Sequence, residues 1–262
     1  MLKILLSGCN GKMGRAVVEA AENGGLDIVA GIDINQMITQ KFPVYAAPAD
    51  YGASAGKSVP VADVIIDFSH HSAIGALLKY AVNARMPLVV ATTAHTAEEK
   101  ALIEEASKKT PVFISANMSL GINLLLELSK KAAALLEGGF DIEIVERHHR
   151  RKLDAPSGTA LMIADGISSA LADKPEYVYD RTKRRESRPK NEIGIHAVRG
   201  GTIVGEHEVI FAGHDEVLTI SHSAISREIF TAGAIKAACF ICGKENGLYT
   251  MKELIGQTMG QE

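Results

Sequence analysis

The chain opens with Leu2-Lys3-Ile4-Leu5-Leu6-Ser7-Gly8-Cys9-Asn10-Gly11-Lys12-Met13-Gly14, a short apolar run followed by three glycines at three-residue intervals. We expect residues 2–6 to form a buried strand and residues 12–22 to form a helix, with the glycines in the turn between them. Glycines there let the backbone turn sharply and approach a pyrophosphate, whose charge a helix N-terminus stabilises. The spacing differs from the usual G-x-G-x-x-G, so a tight turn without a ligand is the alternative.

The first half of the chain continues with short apolar runs that alternate with helical patterns. Strands are predicted at 26–32, 64–68, 87–91 and 111–114. Thr96-Ala97-Glu98-Glu99 is typical of a capping box, in which the threonine hydroxyl accepts from the amide of the last glutamate at the start of a helix. Because these strands are apolar on both faces and alternate with helices, they predict an α/β fold with a parallel sheet covered on both sides.

Asp33 follows the second predicted strand, 19 positions after Gly14. A carboxylate at this place in a strand–helix–strand unit can accept hydrogen bonds from the adenosine ribose of a dinucleotide. The same carboxylate would face the 2′-phosphate of NADPH with like charge, so it favours NADH. Lys12 and Arg15 could neutralise that phosphate, and we therefore expect use of both cofactors with a preference for NADH.

The second half of the chain has a different pattern. A long helix is predicted at about 120–137, and Phe140-Asp141-Ile142-Glu143-Ile144 alternates apolar and polar residues. Further alternating runs predict a mixed or antiparallel sheet and lie at 193–198, 202–211 and 215–222. Residues 222–242 are predicted helical again. The two halves predict two domains, with a boundary near 115–120 and a final segment that returns to the first domain.

Composition narrows the class of protein. The 28 Lys and Arg nearly balance the 31 Asp and Glu, which argues against nucleic acid or an anionic membrane as the main partner. Aromatic residues are 5% of the chain and Trp is absent, which argues against a β-sandwich. The three cysteines cannot form a disulfide framework, and neither a signal peptide nor a membrane-spanning apolar run is visible. We expect a cytoplasmic protein.

The densest functional signal is Glu146-Arg147-His148-His149-Arg150-Arg151-Lys152-Leu153-Asp154-Ala155-Pro156-Ser157-Gly158-Thr159-Ala160. The stretch Ser157-Gly158-Thr159 opens an apolar helix and places free amide groups beside the cations. Imidazole, ammonium and a helix N-terminus together make a site for a small anion, with histidine available as a proton donor near neutral pH. A solvated basic surface is the alternative.

Three other features have simpler interpretations. Cys239-Phe240-Ile241-Cys242 matches C-x-x-C but lies in an apolar helical stretch without a second ligand pair, so core packing is favoured over zinc or redox chemistry. Residues 181–190 hold six basic side chains and could bind nucleic acid, but they lack aromatic residues and are first interpreted as a mobile loop. His70-His71 is expected in a loop at a strand end, and no metal is assigned to it.

Ordered motifs along essentially the whole chain resemble those of the 4-hydroxy-tetrahydrodipicolinate reductase (dihydrodipicolinate reductase) family. They are Gly8–Gly14, Asp67-Phe68-Ser69, Ala91-Thr92-Thr93, Ser115–Asn123, His148–Ala160, Arg199–His207, Ser226–Phe230 and Gly233-Ala234. The chain departs from the family pattern in three places: Ala91 and Ala94 replace frequent glycines, Met118 replaces a frequent Phe, and Ile34 replaces the Arg that often follows the acidic residue.

The resemblance implies a reductase of the diaminopimelate route to lysine, which passes hydride from NADH or NADPH to C4 of a cyclic dicarboxylate with loss of water and without a metal. It implies a Rossmann dinucleotide-binding domain at 1–119, to which 229–262 return. An α+β domain with a mixed sheet at 120–228 would bind substrate and assemble a homotetramer. No nucleic-acid or membrane partner is implied.

The resemblance also implies roles for individual residues. His148 would be the general acid that protonates C3, and Lys152 would pair with a substrate carboxylate and assist. The other substrate contacts would be His149, Ser157, Gly158 and Thr159. The cofactor contacts would be Gly8, Cys9, Asn10, Gly11, Lys12, Met13, Gly14, Asp33, Ala91, Thr92, Thr93, Ser115, Ala116, Asn117 and Met118.

Two rival functions compete with this one. The first is another two-domain NAD(P)-dependent dehydrogenase of the aspartate family pathway, such as aspartate-semialdehyde or homoserine dehydrogenase. The former needs a nucleophilic cysteine in its catalytic half, where this chain has none. The second is a nicotinamide-sensing regulator that uses the 181–190 loop on DNA, although no DNA-binding helix pair is visible.

Overall fold

The structure, a computed structural model, describes residues 1–182 and 184–258. Its elements in chain order are β1 (Lys3–Ser7), α1 (Lys12–Gly24), β2 (Asp27–Ile32), β3 (Val44–Tyr45), α2 (Pro48–Ser54), β4 (Val64–Asp67), a 3₁₀ turn (His71–Ala73), α3 (Ile74–Ala84), β5 (Leu88–Val90), α4 (Ala97–Ser107), β6 (Pro111–Ile114), α5 (Leu120–Leu136), β7 (Asp141–His148), α6 (Gly158–Ser168), β8 (Glu176–Val178), β9 (Glu192–Arg199), β10 (Gly205–Ala212), β11 (Val217–Ala224), α7 (Glu228–Ile241), β12 (Gly247–Tyr249) and α8 (Met251–Thr258). Among the described residues, every helix is too short or too polar to cross a membrane.

The chain divides into two compact units. The first comprises Met1–Leu120 together with Glu228–Glu262, and the second comprises Gly121–Arg227. The functional roles expected for the two units, cofactor binding and substrate binding, are predictions.

The first unit is built on a seven-stranded sheet in the order β12-β6-β5-β4-β1-β2-β3, and all of its strand pairs are parallel. Side chains of β1 enter two different cores, because Leu5 packs in one cluster and Ile4 with Leu6 in the other. The predicted α/β fold with a doubly covered parallel sheet is therefore confirmed. Strand β2 lies on one side of β1 and β4 lies on the other, so the strand order reverses at β1. In such sheets ligands bind at this point of reversal, beyond the carboxyl ends of the strands.

The returning helix α7 begins six residues later than the sequence predicts. Residues 222–224 belong to β11 and pair with β10, so the alternation of β11 continues through the expected helix start. Helix α7 then packs in the core of the first unit, where Gly233 is required: a Cβ there would lie 1.7 Å from the carbonyl oxygen of Met118.

The second unit holds a five-stranded sheet in the order β11-β10-β7-β9-β8. Strands β7, β8 and β9 are parallel, whereas β10 is antiparallel to both neighbours, so the predicted mixed sheet is confirmed. Strand β10 begins at Gly205, and not at 202, because a turn that includes Gly201 at φ 47° precedes it.

The buried face of β7 changes character along its length. Ile142 and Ile144 pack in the apolar core with α6, whereas Glu146 and His148 continue the same face beyond that core. The period-2 alternation of the strand thus carries a carboxylate and an imidazole into the interior at one end of the sheet.

Candidate active site

The glycine loop after β1 has the conformation that its sequence predicts. Gly8 has φ 76°, and a Cβ at Gly14 would lie 2.1 Å from the carbonyl oxygen of Gly8. Gly11 is the N-cap of α1 and offers no side-chain hydrogen bond to the helix N-terminus. The loop therefore leaves the first turn of α1, with Lys12 and Met13, open to an anion.

Asp33 closes this site at the carboxyl end of β2. Its Oδ2 accepts from the amide of Asn10 at 2.9 Å, and its Oδ1 accepts from the amide of Asn35 at 2.8 Å. The carboxylate therefore ties the glycine loop to the turn after β2. A pocket of about 470 Å³ lies here, lined by Gly8, Asn10, Gly11, Asp33, Ile34, Ser69 and His70 among others.

Cys9 lies in the glycine loop with its side chain buried. It packs so closely on Gly31 that a Cβ there would lie 2.4 Å from its Sγ. Burial raises the pKa of the Cys9 thiol to about 12. Only the backbone of Cys9 is available to a ligand, and the thiol does not supply a nucleophile.

A second loop follows β5 at the same edge of the sheet. The fully buried Asp67, at the end of β4, accepts from the hydroxyl of Thr92 at 3.2 Å and from that of Ser69 at 2.6 Å. Burial raises the pKa of Asp67, which these hydrogen bonds partly oppose. Ala91 is half-buried, Thr93 is exposed, and Ala94 has φ 63°, a left-handed conformation that costs a non-glycine residue about 1 kcal/mol or more.

A third loop follows β6. The hydroxyl of Ser115 donates to the carbonyl of Asn117 at 2.7 Å and accepts from its amide at 3.2 Å. Ala116 is exposed, whereas the side chain of Met118 is buried in the core with α7. The structure thus brings the three predicted cofactor loops to the carboxyl ends of strands in one sheet, but it leaves Met118 only its backbone for a ligand.

In the second unit, Glu146 is the centre of a hydrogen-bonded cluster. Arg199 donates to both of its carboxylate oxygens at 2.7 Å, and the amide of Ser157 donates to Oε1 at 2.9 Å. Burial alone would raise the pKa of Glu146, but the hydrogen bonds from Arg199, His148 and Ser157 hold it below its usual value. Glu146 is therefore a buried, ionised carboxylate.

His148 lies beside this carboxylate, with Nδ1 2.6 Å from Oε2 of Glu146. Because a carboxylate can only accept, Nδ1 carries a proton and Nε2 is left to face a ligand. A Cβ at Gly205 would lie 3.1 Å from this Nε2, so the glycine keeps that side of the ring uncrowded. Burial lowers the pKa of His148, which the charge of Glu146 partly opposes.

The N-terminus of α6 lies in the same cluster. Ser157 is its N-cap and accepts from the amide of Ala160 at 3.1 Å, while Gly158 and Thr159 form the first turn. Lys152 lies in the preceding loop, and its Nζ is 2.8 Å from Oδ2 of Asp154. His149 follows β7 and is half-buried.

Three members of the cluster lie in motifs quoted from the sequence but received no individual role there: Glu146, Arg199 and His207. Register explains their positions, since Arg199 is paired with His148 across β9 and β7, and His207 with Glu146 across β10 and β7. The rings of His148 and His207 meet edge to face at 5.3 Å. The alternation of Glu146 and His148 within β7 was the available signal, whereas no local pattern singles out Arg199 and His207.

Three of the six basic side chains of the 181–190 loop are paired with carboxylates. Arg181, Arg184 and Arg188 are ion-paired with carboxylates of Asp141, Glu143, Glu176 and Glu192. These three side chains are therefore not available to nucleic acid as free cations. The mobility of the loop stays a prediction, and Lys183 lies outside the described residues. Cys239 and Cys242 lie in and just after α7, and within the described ranges no group of metal-ligating side chains has a suitable arrangement.

A parallel sheet of this strand order, with an uncapped helix N-terminus after its first strand, is typical of Rossmann-like dinucleotide-binding domains. Two family models agree with this class. The one described as Dihydrodipicolinate reductase, N-terminus, matches residues 2–118, and the one described as Dihydrodipicolinate reductase, C-terminus, matches residues 121–255. The chain belongs to the dihydrodipicolinate reductase family and is an oxidoreductase of diaminopimelate and lysine biosynthesis.

Individual relatives agree with this assignment. A 4-hydroxy-tetrahydrodipicolinate reductase from Caldanaerobacter subterraneus subsp. tengcongensis is 56% identical over 97% of this chain and 98% of its own length. A protein of the same name from Clostridium botulinum is 48% identical over 98% and 100%. The fold is similar to that of a dipicolinate-bound dihydrodipicolinate reductase from Paenisporosarcina sp. TG-14, with a TM-score of 0.77 at 23% identity, over 95% of this chain and 97% of that one. The family predicted from the motifs is thus confirmed.

Proposed function

We propose that this chain reduces 4-hydroxy-tetrahydrodipicolinate to tetrahydrodipicolinate with NADH or NADPH, and that His148 is the proton donor. The substrate loses water, accepts hydride at C4 and is protonated at C3. The observation that carries the proposal is the pairing of His148 with Glu146, which leaves Nε2 as the donor in a cluster that also holds Ser157, the N-cap of α6. A proton donor and an anion site are what reduction of an unsaturated cyclic dicarboxylate requires.

The first unit fits a dinucleotide. The N-terminus of α1 lacks a side-chain cap, Gly14 permits close backbone approach, and Asp33 faces a pocket of about 470 Å³. The glycine loop would hold the pyrophosphate, and Asp33 would accept from the adenosine ribose. Residues 91–93 and 115–118 would line the nicotinamide end. When bound, the cofactor supplies the hydride.

The second unit would bind the substrate carboxylates. Lys152 provides a compact positive charge, and the amides of Gly158 and Thr159 begin a helix whose N-terminus favours negative charge. The hydroxyls of Ser157 and Thr159 and the ring of His149 complete this donor set. Lys152 is paired with Asp154, and a substrate carboxylate would take the place of Asp154.

His148 would then deliver its proton from Nε2. Glu146 accepts from Nδ1 and so fixes the ring orientation and stabilises the doubly protonated imidazole. Arg199 and the amide of Ser157 hold both oxygens of Glu146, so the carboxylate cannot turn away. A bound dicarboxylate adds negative charge near the ring, which raises the pKa of His148 and favours the acid form.

We also propose a cytoplasmic homotetramer assembled through the second unit. Strand β11 is an edge strand whose Val217 and Leu218 are 63% and 42% exposed. Long edge strands that carry apolar side chains are usually covered, since they otherwise pair with other chains. A second copy of the same sheet is the proposed cover.

The test is oxidation of NADH and NADPH by the purified chain in the presence of freshly made 4-hydroxy-tetrahydrodipicolinate. Both cofactors should be oxidised only with this substrate, and mass spectrometry should find tetrahydrodipicolinate. Oxidation that is independent of the substrate, or none with either cofactor, would contradict the proposal. Size-exclusion chromatography with light scattering tests the tetramer separately.

A further inference from the structure

His207 is a buried histidine that the mechanism above does not use. It is 4% exposed, and strand register places it between Glu146 on β7 and His222 on β11. Its Nε2 lies 3.1 Å from the hydroxyl oxygen of Ser157. Its Nδ1 has no hydrogen-bond partner among the described residues. The hydroxyl of Ser157 is therefore the group through which this ring acts.

The hydroxyl of Ser157 has one hydrogen to donate and two positions at which it accepts. The amide of Ala160 fills one accepting position, because Ser157 is the N-cap of α6. Two arrangements of the His207 ring can use the remaining hydrogen-bonding capacity of the Ser157 hydroxyl. The ring either accepts the hydroxyl hydrogen at Nε2 or donates its own Nε2 hydrogen into the second accepting position. Only the second arrangement leaves the serine hydrogen for a ligand.

We propose that His207 is a positioning residue: when a dicarboxylate binds, His207 carries its proton at Nε2 and donates it to Ser157, so that the Ser157 hydroxyl donates to the ligand carboxylate. This inference rests on the proposed role of Ser157 in carboxylate binding. In the other tautomer the Nδ1 hydrogen would be a buried donor without a partner, and the oxygen of Ser157 would face the ligand without its hydrogen. Buried donors without partners are rare, and a hydrogen bond to a charged carboxylate is among the stronger ones.

His207 remains neutral at pH 7. Ligand binding therefore selects one of its two neutral tautomers and does not change its charge. Burial, reinforced by the nearby His148, lowers the pKa of His207 to about 4. Glu146 opposes this lowering, whereas His222 and Lys152 contribute to it. A second positive charge beside His148 is thus avoided while the ring still donates one hydrogen.

The direct test is ¹⁵N NMR of the full chain labelled at its nine histidines, with and without pyridine-2,6-dicarboxylate. The His207→Gln spectrum assigns the His207 signals. The saturated complex should show a protonated Nε2 and a bare Nδ1 for His207. A bound complex with the proton at Nδ1 overturns the inference alone. Absence of binding to the wild type overturns the carboxylate site of the proposed function, and this inference with it.

A double-variant cycle tests the coupling. His207→Gln keeps an N–H donor near the position of Nε2 and should bind pyridine-2,6-dicarboxylate within about threefold of the wild type. His207→Leu removes the donor and should weaken binding about tenfold. In a Ser157→Ala background the same Leu substitution should have no further effect. A tenfold loss that persists in that background would show a merely structural role, as would equal losses for Gln and Leu. NADH binding reports folding of all variants.

Discussion

Nδ1 of His148 lies 2.6 Å from Oε2 of Glu146, two positions earlier on the same face of β7. The period of a β-strand brings the two side chains side by side, and burial makes the contact a strong one. The proposed general acid is therefore oriented by its own strand, and Arg199 holds the carboxylate from the neighbouring strand.

Glu146→Gln should lower kcat at least about tenfold, because a neutral amide no longer stabilises the protonated form of His148. Glu143→Gln is the matched control. Glu143 lies on the opposite face of β7 and also pairs with two arginines and a histidine. Steady-state kinetics of both variants should separate them. Equal losses of kcat would mean that Glu146 acts only through stability.

The pairing of Lys152 with Asp154 predicts two opposite changes in the affinity for pyridine-2,6-dicarboxylate. Lys152→Ala should weaken binding, because the ammonium is lost. Asp154→Asn should strengthen it a few-fold, because an exposed ion pair worth up to about 1 kcal/mol no longer competes with the ligand. Calorimetric titration measures both, and NADH affinity should change in neither. Weaker binding by Asp154→Asn would contradict the competition.

Asp33 should set the relative use of the two cofactors. The wild type should prefer NADH in kcat/KM, and Asp33→Ala should improve NADPH relative to NADH, because the like charge facing the 2′-phosphate is gone. Asp33→Asn is the control for the loop, since it keeps an oxygen that can accept from the amide of Asn10 or Asn35. A wild type that strongly prefers NADPH, or variants without a relative gain for it, would remove Asp33 from this role.

His207 should make the fold sensitive to acid. Its pKa is about 4 in the folded chain against 6.5 for an ordinary histidine, so the unfolded chain binds the proton more readily. The contribution of neutral His207 to the free energy of unfolding is complete above about pH 6.5. As the pH falls towards 4, this contribution is lost, and the free energy of unfolding decreases by about 3 kcal/mol. Urea unfolding at several pH values should give a shallower decline for His207→Gln. Parallel curves for the two proteins would contradict the prediction.

The sequence predicts the fold of the first unit well, because its strands are short apolar runs that strand–helix alternation restricts to a parallel sheet. It predicts less about the site of the second unit. His148, Lys152 and the 157–159 turn are close in sequence and form a recognisable group. Glu146 joins that group through the two-residue period of β7. Arg199 and His207 join it only through the register of β7, β9 and β10, which no local pattern specifies.

The arginines of the 181–190 loop illustrate the same limit. In the sequence they form an unpaired basic run. In the structure Arg188 pairs with carboxylates of β7 that lie 45 and 47 positions earlier, and with a carboxylate of β9 four positions later. Ion pairs of this kind depend on tertiary structure, and composition alone could not distinguish them from a nucleic-acid surface.

The measurement that tests the central claim most directly is kcat of His148→Gln at saturating substrate and NADH, with His149→Gln as the neighbouring control. If His148 donates the proton at C3, its variant should lose about 100-fold or more in kcat while it binds NADH and pyridine-2,6-dicarboxylate nearly as the wild type does. His149→Gln should affect mainly KM. A His148→Gln enzyme with the kcat of the wild type would contradict the account.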